Sequence, residues 1–397
     1  MRVLLVHNRY REGSPSGENA VVEDEARLLV EAGCRVERLE VSSDEIAGWP
    51  ARRKVTLPAR VVWSRAGYSL TETAIRRFRP TVVHFHNTFP LLSPSALWSA
   101  HRSGVPVVHT VHNFRPLCPA GSFLREGRIC EECLGRLPFP SVVHGCYRGS
   151  RLATSPIAAM DALHRLLRTW QRCVDVFVFP SQFARAKYIE AGWPAAKLVV
   201  KHQTVRDCDV ARVRRRAGFS CISRLSVEKG VDLLLEAWER AFRNGEQSLR
   251  IVGSGVDEAA LRTAAHGAAR VEFGGRLGRA ETLDVLARSL ALVVPSRSYE
   301  VFPRVVAEAY ALGVPVVAAR LGALAEIVED GTTGLLFEPG SAVDLARTLQ
   351  RLSTSTELAA RLGRNARQAF EDRFSPEETT RRLLTIYDGA ACRAEAA

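Results

Sequence analysis

Nowhere in the 397 residues does an uninterrupted apolar run approach the roughly eighteen that a membrane-spanning helix needs, so no helical span is expected. Repeats of solenoid length and low-complexity blocks are also missing, which excludes repeat scaffolds and compositionally biased linkers. Aromatic residues are scarce at 7%, and no basic helix or aromatic-basic platform stands out, so nucleic acid is a poor partner. The opening Met1-Arg-Val-Leu-Leu-Val-His7 has too little apolar length for a signal peptide and reads as a strand, which leads us to expect a cytoplasmic protein. Acidic residues are outnumbered, 43 against 55 Lys and Arg, for a net charge of +12. The excess is arginine spread along the chain. It favours anionic partners such as nucleotide phosphates, lipid diphosphates or the acidic inner face of a membrane in peripheral contact, and it equally fits a merely arginine-rich composition.

What is present is a globular composition, 46% hydrophobic, in a chain too long for one ordinary core. Strand-like and helix-like patterns alternate through the first half: Val3 to Val6, a helix from Ala20 to Ala32, then Arg35 to Leu39, Thr81 to Phe85 and Pro106 to Val111. The pattern fades into a charged stretch at 203–216 and resumes with Gly218 to Ser223, a helix through Trp238, Leu249 to Gly253, a helix from Asp257 to Ala265, and Val271 to Gly274. Such alternation predicts α/β architecture with parallel sheets: two Rossmann-like, doubly wound domains facing a cleft. We place the first domain at 1–205, with a cysteine-containing insertion at about 114–150, and the second at 206–374. Residues 375–397 read as a terminal helix, opened by a capping pattern at Ser375 and fraying from Cys392, that packs back towards the first domain.

The most informative segment is Ser298-Tyr-Glu-Val-Phe-Pro-Arg-Val-Val-Ala-Glu308. Pro303 suits the first position of a helix, where its missing N–H is no loss, and the helix is expected to run to Leu312. Its N-terminus near Phe302 to Val305 would form an anion site for a diphosphate. Glu300 and Glu308 then stand on either side of that site, placed to bridge a ribose diol and to bind sugar hydroxyls. Flanking apolar runs, Ala291 to Ser296 and Gly313 to Ala319, complete a βαβ unit, whose ligands sit at the carboxyl ends of its strands. A capped amphipathic helix with two solvated glutamates is the bland alternative.

Ser223-Arg-Leu-Ser-Val-Glu-Lys-Gly230, Ile251-Val-Gly-Ser-Gly255, Phe273-Gly-Gly-Arg-Leu277, the Glu300/Glu308 element and Glu326-Ile-Val-Glu-Asp-Gly-Thr-Thr-Gly-Leu-Leu-Phe337 follow in one order. In that order they resemble the retaining glycosyltransferases of family four, which have the B-type fold, over essentially the whole chain. The resemblance implies a nucleotide-sugar donor held mostly by the second domain. Arg224 and Lys229 would pair with the donor diphosphate, and two cations there would also stabilise the leaving nucleotide. Arg276 and Leu277 would hold the nucleobase, Glu308 the ribose and Glu300 the transferred sugar. Gly17, Val301, Phe302, Pro303 and Arg304 would complete the donor site, and His112 is the favoured catalytic histidine. Four positions depart from the family's pattern. Pro303 stands where glycine is common, Ser14-Pro-Ser-Gly-Glu18 keeps only Gly17 of a glycine pair, Gly322-Ala323 keeps one of two, and Lys201-His-Gln-Thr204 replaces a Pro-Asn pattern.

Histidines gather in the first half at His7, at His84 and His86, and at His109 and His112, each after an apolar run. One of them could orient an acceptor or stabilise charge on a reacting sugar. His7 and His109 read as buried structural residues. His84 and His86 are expected on opposite faces of their strand, which argues against a metal pair. Cys118, Cys130, Cys133 and Cys146 form Cys-x11-Cys-x2-Cys-x12-Cys, compatible with a structural zinc in the insertion or with free or redox-active thiols. Asp207-Cys-Asp209 matches a carboxylate pair that holds a divalent ion under a diphosphate, but it lies in the interdomain stretch and reads as coincidence. The composite expectation is a retaining glycosyltransferase that needs no metal for catalysis and acts on a glycan, lipid-linked glycan or metabolite hydroxyl. A nucleotide-sugar epimerase of the same fold and a catalytically silent nucleotide-sugar-binding scaffold remain open beside it.

Overall fold

The computed structural model describes residues 1–11, 17–207 and 216–395, the side chains of 393–395 excepted. Most of the interdomain stretch, Asp209 with it, and Ser14 to Ser16 lie outside the described residues. Two compact units emerge: Met1–Phe123 with Glu131–Thr204 and Pro376–Ala397, and Val205–Ser375 with Leu124–Cys130.

In the first unit the strands are β1 (Arg2–Arg9), β2 (Arg35–Ser42), β3 (Val82–Phe85) and β4 (Val107–Thr110). In chain order a hairpin of two-residue strands, β5 (Leu124–Arg125) and β6 (Arg128–Ile129), which groups with the second unit, precedes the first unit's β7 (Val176–Phe179) and β8 (Leu198–Val200). The sheet runs β2-β1-β3-β4-β7-β8, every neighbouring pair parallel. Parallel strands covered by helices on both faces must be apolar throughout. Val3, Leu4, Leu5 and Val6 of β1 are accordingly all at 0% exposure.

The second unit contains β9 (Phe219–Ile222), β10 (Leu249–Val252), β11 (Val271–Gly275), β12 (Ala291–Val294), β13 (Val316–Ala319) and β14 (Gly334–Phe337). Their order is β11-β10-β9-β12-β13-β14, again all parallel. In both sheets the winding reverses beside the first strand, between β1 and β3 and between β9 and β12. At such a reversal the loops leaving two adjacent strands diverge to opposite faces and open a crevice at the carboxyl ends. Chain topology alone therefore points to the segments after Arg9 and Phe85 in one unit, and after Ile222 and Val294 in the other.

The C-terminal helix, Pro376–Glu395, belongs to the first unit. Leu383, Tyr387 and Ala390 join the cluster formed by Val3, Leu5, Val82, Val108 and Val178. The helix runs to Glu395, and Ala396 and Ala397, the end of the stretch expected to fray from Cys392, lie outside the described residues. Among the described residues no helix is long and apolar enough to cross a membrane.

Candidate active site

Two backbone loops build the crevice of the second unit. After β9 the chain turns through Ser223 to Ser226 into a short 3-10 turn, Val227–Lys229, and the helix Val231–Ala241. Ser223 and Leu225 are held against the next strand's loop by bonds to Val252 O and Ser254 O, both 3.0 Å. This approach requires glycine opposite: a Cβ at Gly253, whose φ is +138°, would meet Ser223 O at 1.8 Å, and one at Gly255 would meet Leu225 O at 2.1 Å. The Ile251-Val-Gly-Ser-Gly255 motif is thus a packing device that presents Arg224 and Lys229.

After β12, Pro295 to Pro303 leads into the helix Arg304–Ala311. Pro303 is the residue capping that helix, with ψ 86°, rather than its first turn, and the last helical residue is Ala311 instead of Leu312. The ring fixes φ in either position, and the non-helical ψ places it one residue earlier. Tyr310 anchors the helix from below through its hydroxyl, 2.6 Å from Thr333 and 3.2 Å from Ile327 O, which is how the Glu326 to Phe337 motif supports the site.

The two loops meet in an ion pair. Lys229 Nζ donates to Glu300 Oε1 at 2.6 Å, and Ser296 Oγ donates to the same oxygen at 2.8 Å. The side chains are only 19% and 15% exposed. Burial pushes the Glu300 carboxyl up, but the Lys229 charge and hydrogen bond, then Ser296 and Arg224, outweigh it and hold it below its ordinary value of 4.5. Ser226 Oγ, on the same loop as Arg224 and Lys229, is buried without a hydrogen-bond partner. Arg224 itself is half exposed and 3.3 Å from Glu228. Glu308 accepts from Arg304 Nε at 3.2 Å, one turn back, with Arg279 at 3.8 Å. Val301 and Phe302 are buried, and Leu277 is half-buried while Arg276 is exposed, both just beyond the end of β11. The arrangement is a cationic loop and a helix N-terminus with two carboxylates in place, suited to a ligand that carries both phosphate and hydroxyl groups. Sequence reasoning passed over Ser296 and Ser226, since a lone serine after a strand reads as a turn residue.

In the first unit the histidines collect at the carboxyl ends of β1, β3 and β4. His84 and His86 stand on one face, their ring centroids 4.2 Å apart, and this corrects the expectation of opposite faces. Successive residues of a strand alternate, so residues two apart return to the same side. His84 is saturated: Nδ1 lies 2.7 Å from Tyr387 Oη and Nε2 2.8 Å from Thr110 Oγ1. His86 Nδ1 lies 2.9 Å from His112 Nε2. His112 is half-buried, and its Nδ1 is 3.4 Å from Gln203 Nε2. His7 is buried with Nε2 2.9 Å from Asn19 Oδ1. Burial depresses all five rings, His84 and His109 to about 3, so the cluster is neutral at physiological pH. Gly17 opens the helix Gly17–Glu31 and is exposed.

The metal expectations find little support in this arrangement. Among the described residues, one group has ligand atoms close enough for an ion, Glu25 with His84 and His86, and no cysteine belongs to it. In that group both nitrogens of His84 are bonded and Glu25 Oε1 pairs with Lys201, which leaves Glu25 Oε2 and His86 Nε2 as the atoms without a hydrogen-bond partner. Cys118 and Cys133 are buried, Cys130 and Cys146 half-buried, and the zinc reading rests on their spacing alone. Asp207 gives both oxygens to Arg367, at 2.6 and 2.8 Å, so its carboxylate is engaged by a cationic side chain.

Comparison with known proteins agrees with this geometry. Residues 2–203 match the glycosyl transferase 4-like domain and residues 214–369 match glycosyl transferases group 1. The chain belongs to the group 1 glycosyl transferases, enzymes with the B-type fold. It is 28% identical to the D-inositol 3-phosphate glycosyltransferase of Gordonia bronchialis across 95% of this chain and 85% of that protein. It is 27% identical to the sulfoquinovosyl transferase SQD2 of Arabidopsis thaliana, across 75% of this chain but only 54% of the plant protein. An uncharacterized glycosyltransferase of Methanocaldococcus jannaschii is likewise matched over 45% of its length. Among solved structures, the fold is shared with HepE of Anabaena in complex with UDP (TM-score 0.68, 18% identity, 98% of this chain and 100% of that one). It is shared equally with sucrose-phosphate synthase of Thermosynechococcus elongatus (TM-score 0.71, 18% identity, 98% of each chain).

Proposed function

We propose that the protein is a retaining glycosyltransferase that moves a sugar from a nucleoside diphosphate donor to an acceptor hydroxyl and needs no divalent metal for the chemistry. The observation that carries this reading is the Lys229–Glu300 pair, which joins the loops after β9 and β12 at the topological reversal of the second sheet. Lys229, with Arg224 and the N-terminus of the helix Arg304–Ala311, receives the diphosphate. These cations offset the charge that grows on the leaving nucleotide as the glycosidic C–O bond breaks. Glu308 takes the ribose diol and Glu300 the hydroxyls of the transferred sugar. The acceptor hydroxyl attacks from the face the nucleotide leaves, and a phosphate oxygen of the leaving group takes its proton. His112, in the first unit, stabilises the sugar as positive charge develops at its anomeric carbon.

Incubation with a panel of nucleoside diphosphate sugars and simple acceptors, in EDTA, tests the whole statement. The expected result is release of one nucleoside diphosphate and a product with the donor's anomeric configuration by NMR. An inverted product overturns the retaining step, and loss of turnover restored by Mg²⁺ or Mn²⁺ overturns metal independence. Release of a free epimerised sugar identifies an epimerase instead.

A further inference from the structure

Behind His112 the first unit holds one charged pair among neutral rings. Lys201, just past the end of β8, is 3% exposed and forms a salt bridge with Glu25 Oε1; Glu25, on the helix Gly17–Glu31, is 2% exposed. A buried lysine and glutamate are costly to desolvate and add little stability over apolar residues of similar volume. Nothing in the donor chemistry of the second unit calls for them.

Their geometry supplies a role. The second oxygen of Glu25, Oε2, lies 3.5 Å from His86 Nε2, and neither atom has any other partner. A carboxylate oxygen and a bare imidazole nitrogen would repel, so the contact favours a proton on His86 Nε2. His86 Nδ1 must then be the acceptor in its 2.9 Å bond with His112, and His112 Nε2 must carry the proton that is donated. That leaves His112 Nδ1 with its lone pair, facing the amide of Gln203 at 3.4 Å, a length that a better donor can displace. Every link points the same way, and each follows from the one before. The neighbouring groups do not compete. His84 is engaged at both nitrogens, by Tyr387 and Thr110, His7 is held by Asn19, and His109 and these rings carry no charge.

We propose that Lys201, Glu25 and His86 are positioning residues that lock His112 in the tautomer protonated at Nε2, so that its Nδ1 accepts a hydrogen bond from a hydroxyl of the substrate. The inference rests on the reading of His112 as a residue that meets the reacting sugar. It also gives the departure Lys201-His-Gln-Thr204 a purpose: Lys201 charges the far end of the chain and Gln203 fills the near end until substrate arrives. Which nitrogen of a histidine is protonated is set by what the other one bonds, and an enzyme histidine held in the wrong tautomer loses most of its turnover.

The test joins ring ¹⁵N NMR of histidine-labelled protein, with His112 assigned by its loss in His112→Asn, to kinetics. In the wild type, His112 should be protonated at Nε2 and bare at Nδ1. Because Glu25→Gln alone strands a buried lysine and endangers folding, the informative variant is Glu25→Leu with Lys201→Met, which removes both charges together. It should fold, show His112 as a tautomer mixture, and lose about a hundredfold in kcat with the donor KM unchanged. His86→Gln should do the same. A wild-type His112 protonated at Nδ1, or a double variant with unaltered tautomer and kcat, overturns the proposal. A locked tautomer in a protein that transfers no sugar would sink the proposed activity and leave the lock standing.

Discussion

At the scale of single residues, the weight falls on Lys229 and Glu300. Their pair is partly buried and shared with Ser296, so neither residue is an ordinary surface charge. Lys229→Ala should cost roughly a hundred- to thousandfold in kcat/KM, the usual worth of a contact to developing charge, while the melting temperature moves little. Glu300→Gln should retain nucleotide binding and lose turnover, because the role proposed for it is towards the sugar. Equal losses of nucleotide affinity in both variants would contradict this division. The sequence already displayed these residues, since Arg224, Lys229, Glu300 and Glu308 lie in motifs with strict local spacing. It concealed Glu25, and it showed Lys201 and Gln203 only as a departure from the family's pattern. A glutamate on an amphipathic helix reads as solvated, and only tertiary packing brings it to a residue 176 positions away.

Among elements, the decisive ones are the loops after β9 and β12 and the glycines that let them close. Gly255→Ala places a Cβ 2.1 Å from Leu225 O, an overlap with backbone that no rotamer relieves. We expect a loss of about 1–3 kcal/mol in denaturant unfolding and weakened nucleotide binding, since the loop carrying Arg224 and Lys229 must move. Full stability in that variant would show that the close approach of the two loops is not required. The strands and helices read from periodicity lay within a few residues of their observed bounds, but β7 and β8 were not picked out, and β2, an edge strand with Arg35, Glu37, Arg38 and Glu40, is not uniformly apolar. The strand order was not legible: periodicity says where a strand is, never which neighbour it takes. The βαβ pattern already put the Glu300/Glu308 element at the carboxyl ends of its strands, but the loop after β9 joined it in one crevice only once the reversal between β9 and β12 was known.

For the molecule as a whole, the two units should differ in their response to acid. His7, His84, His86, His109, His112 and His164, all in the first unit, have pKa values lowered by burial, whereas His266 is the one histidine of the second unit's sequence. An unfolded histidine binds a proton near 6.5 while a buried neutral one does not, so each costs stability as pH falls below that value, until its folded pKa is reached. Asp161, its carboxyl pushed up to about 8 by burial, works in the opposite direction and stabilises the fold as pH falls below 8, but it is one group against six. Calorimetry between pH 7 and 5 should therefore show the transition of the first unit dropping and that of the second nearly constant. Parallel behaviour of the two transitions would mean that the histidines titrate in the folded state.

The central claim, that the second unit is a site for a nucleoside diphosphate built on Lys229, is tested most directly by calorimetric titration of the full chain with a panel of nucleoside diphosphates. The account predicts that at least one binds in EDTA, and that Lys229→Ala weakens it by about tenfold or more while the protein stays folded. Absence of binding by every nucleoside diphosphate at millimolar concentration, or affinity unchanged by Lys229→Ala, would contradict it.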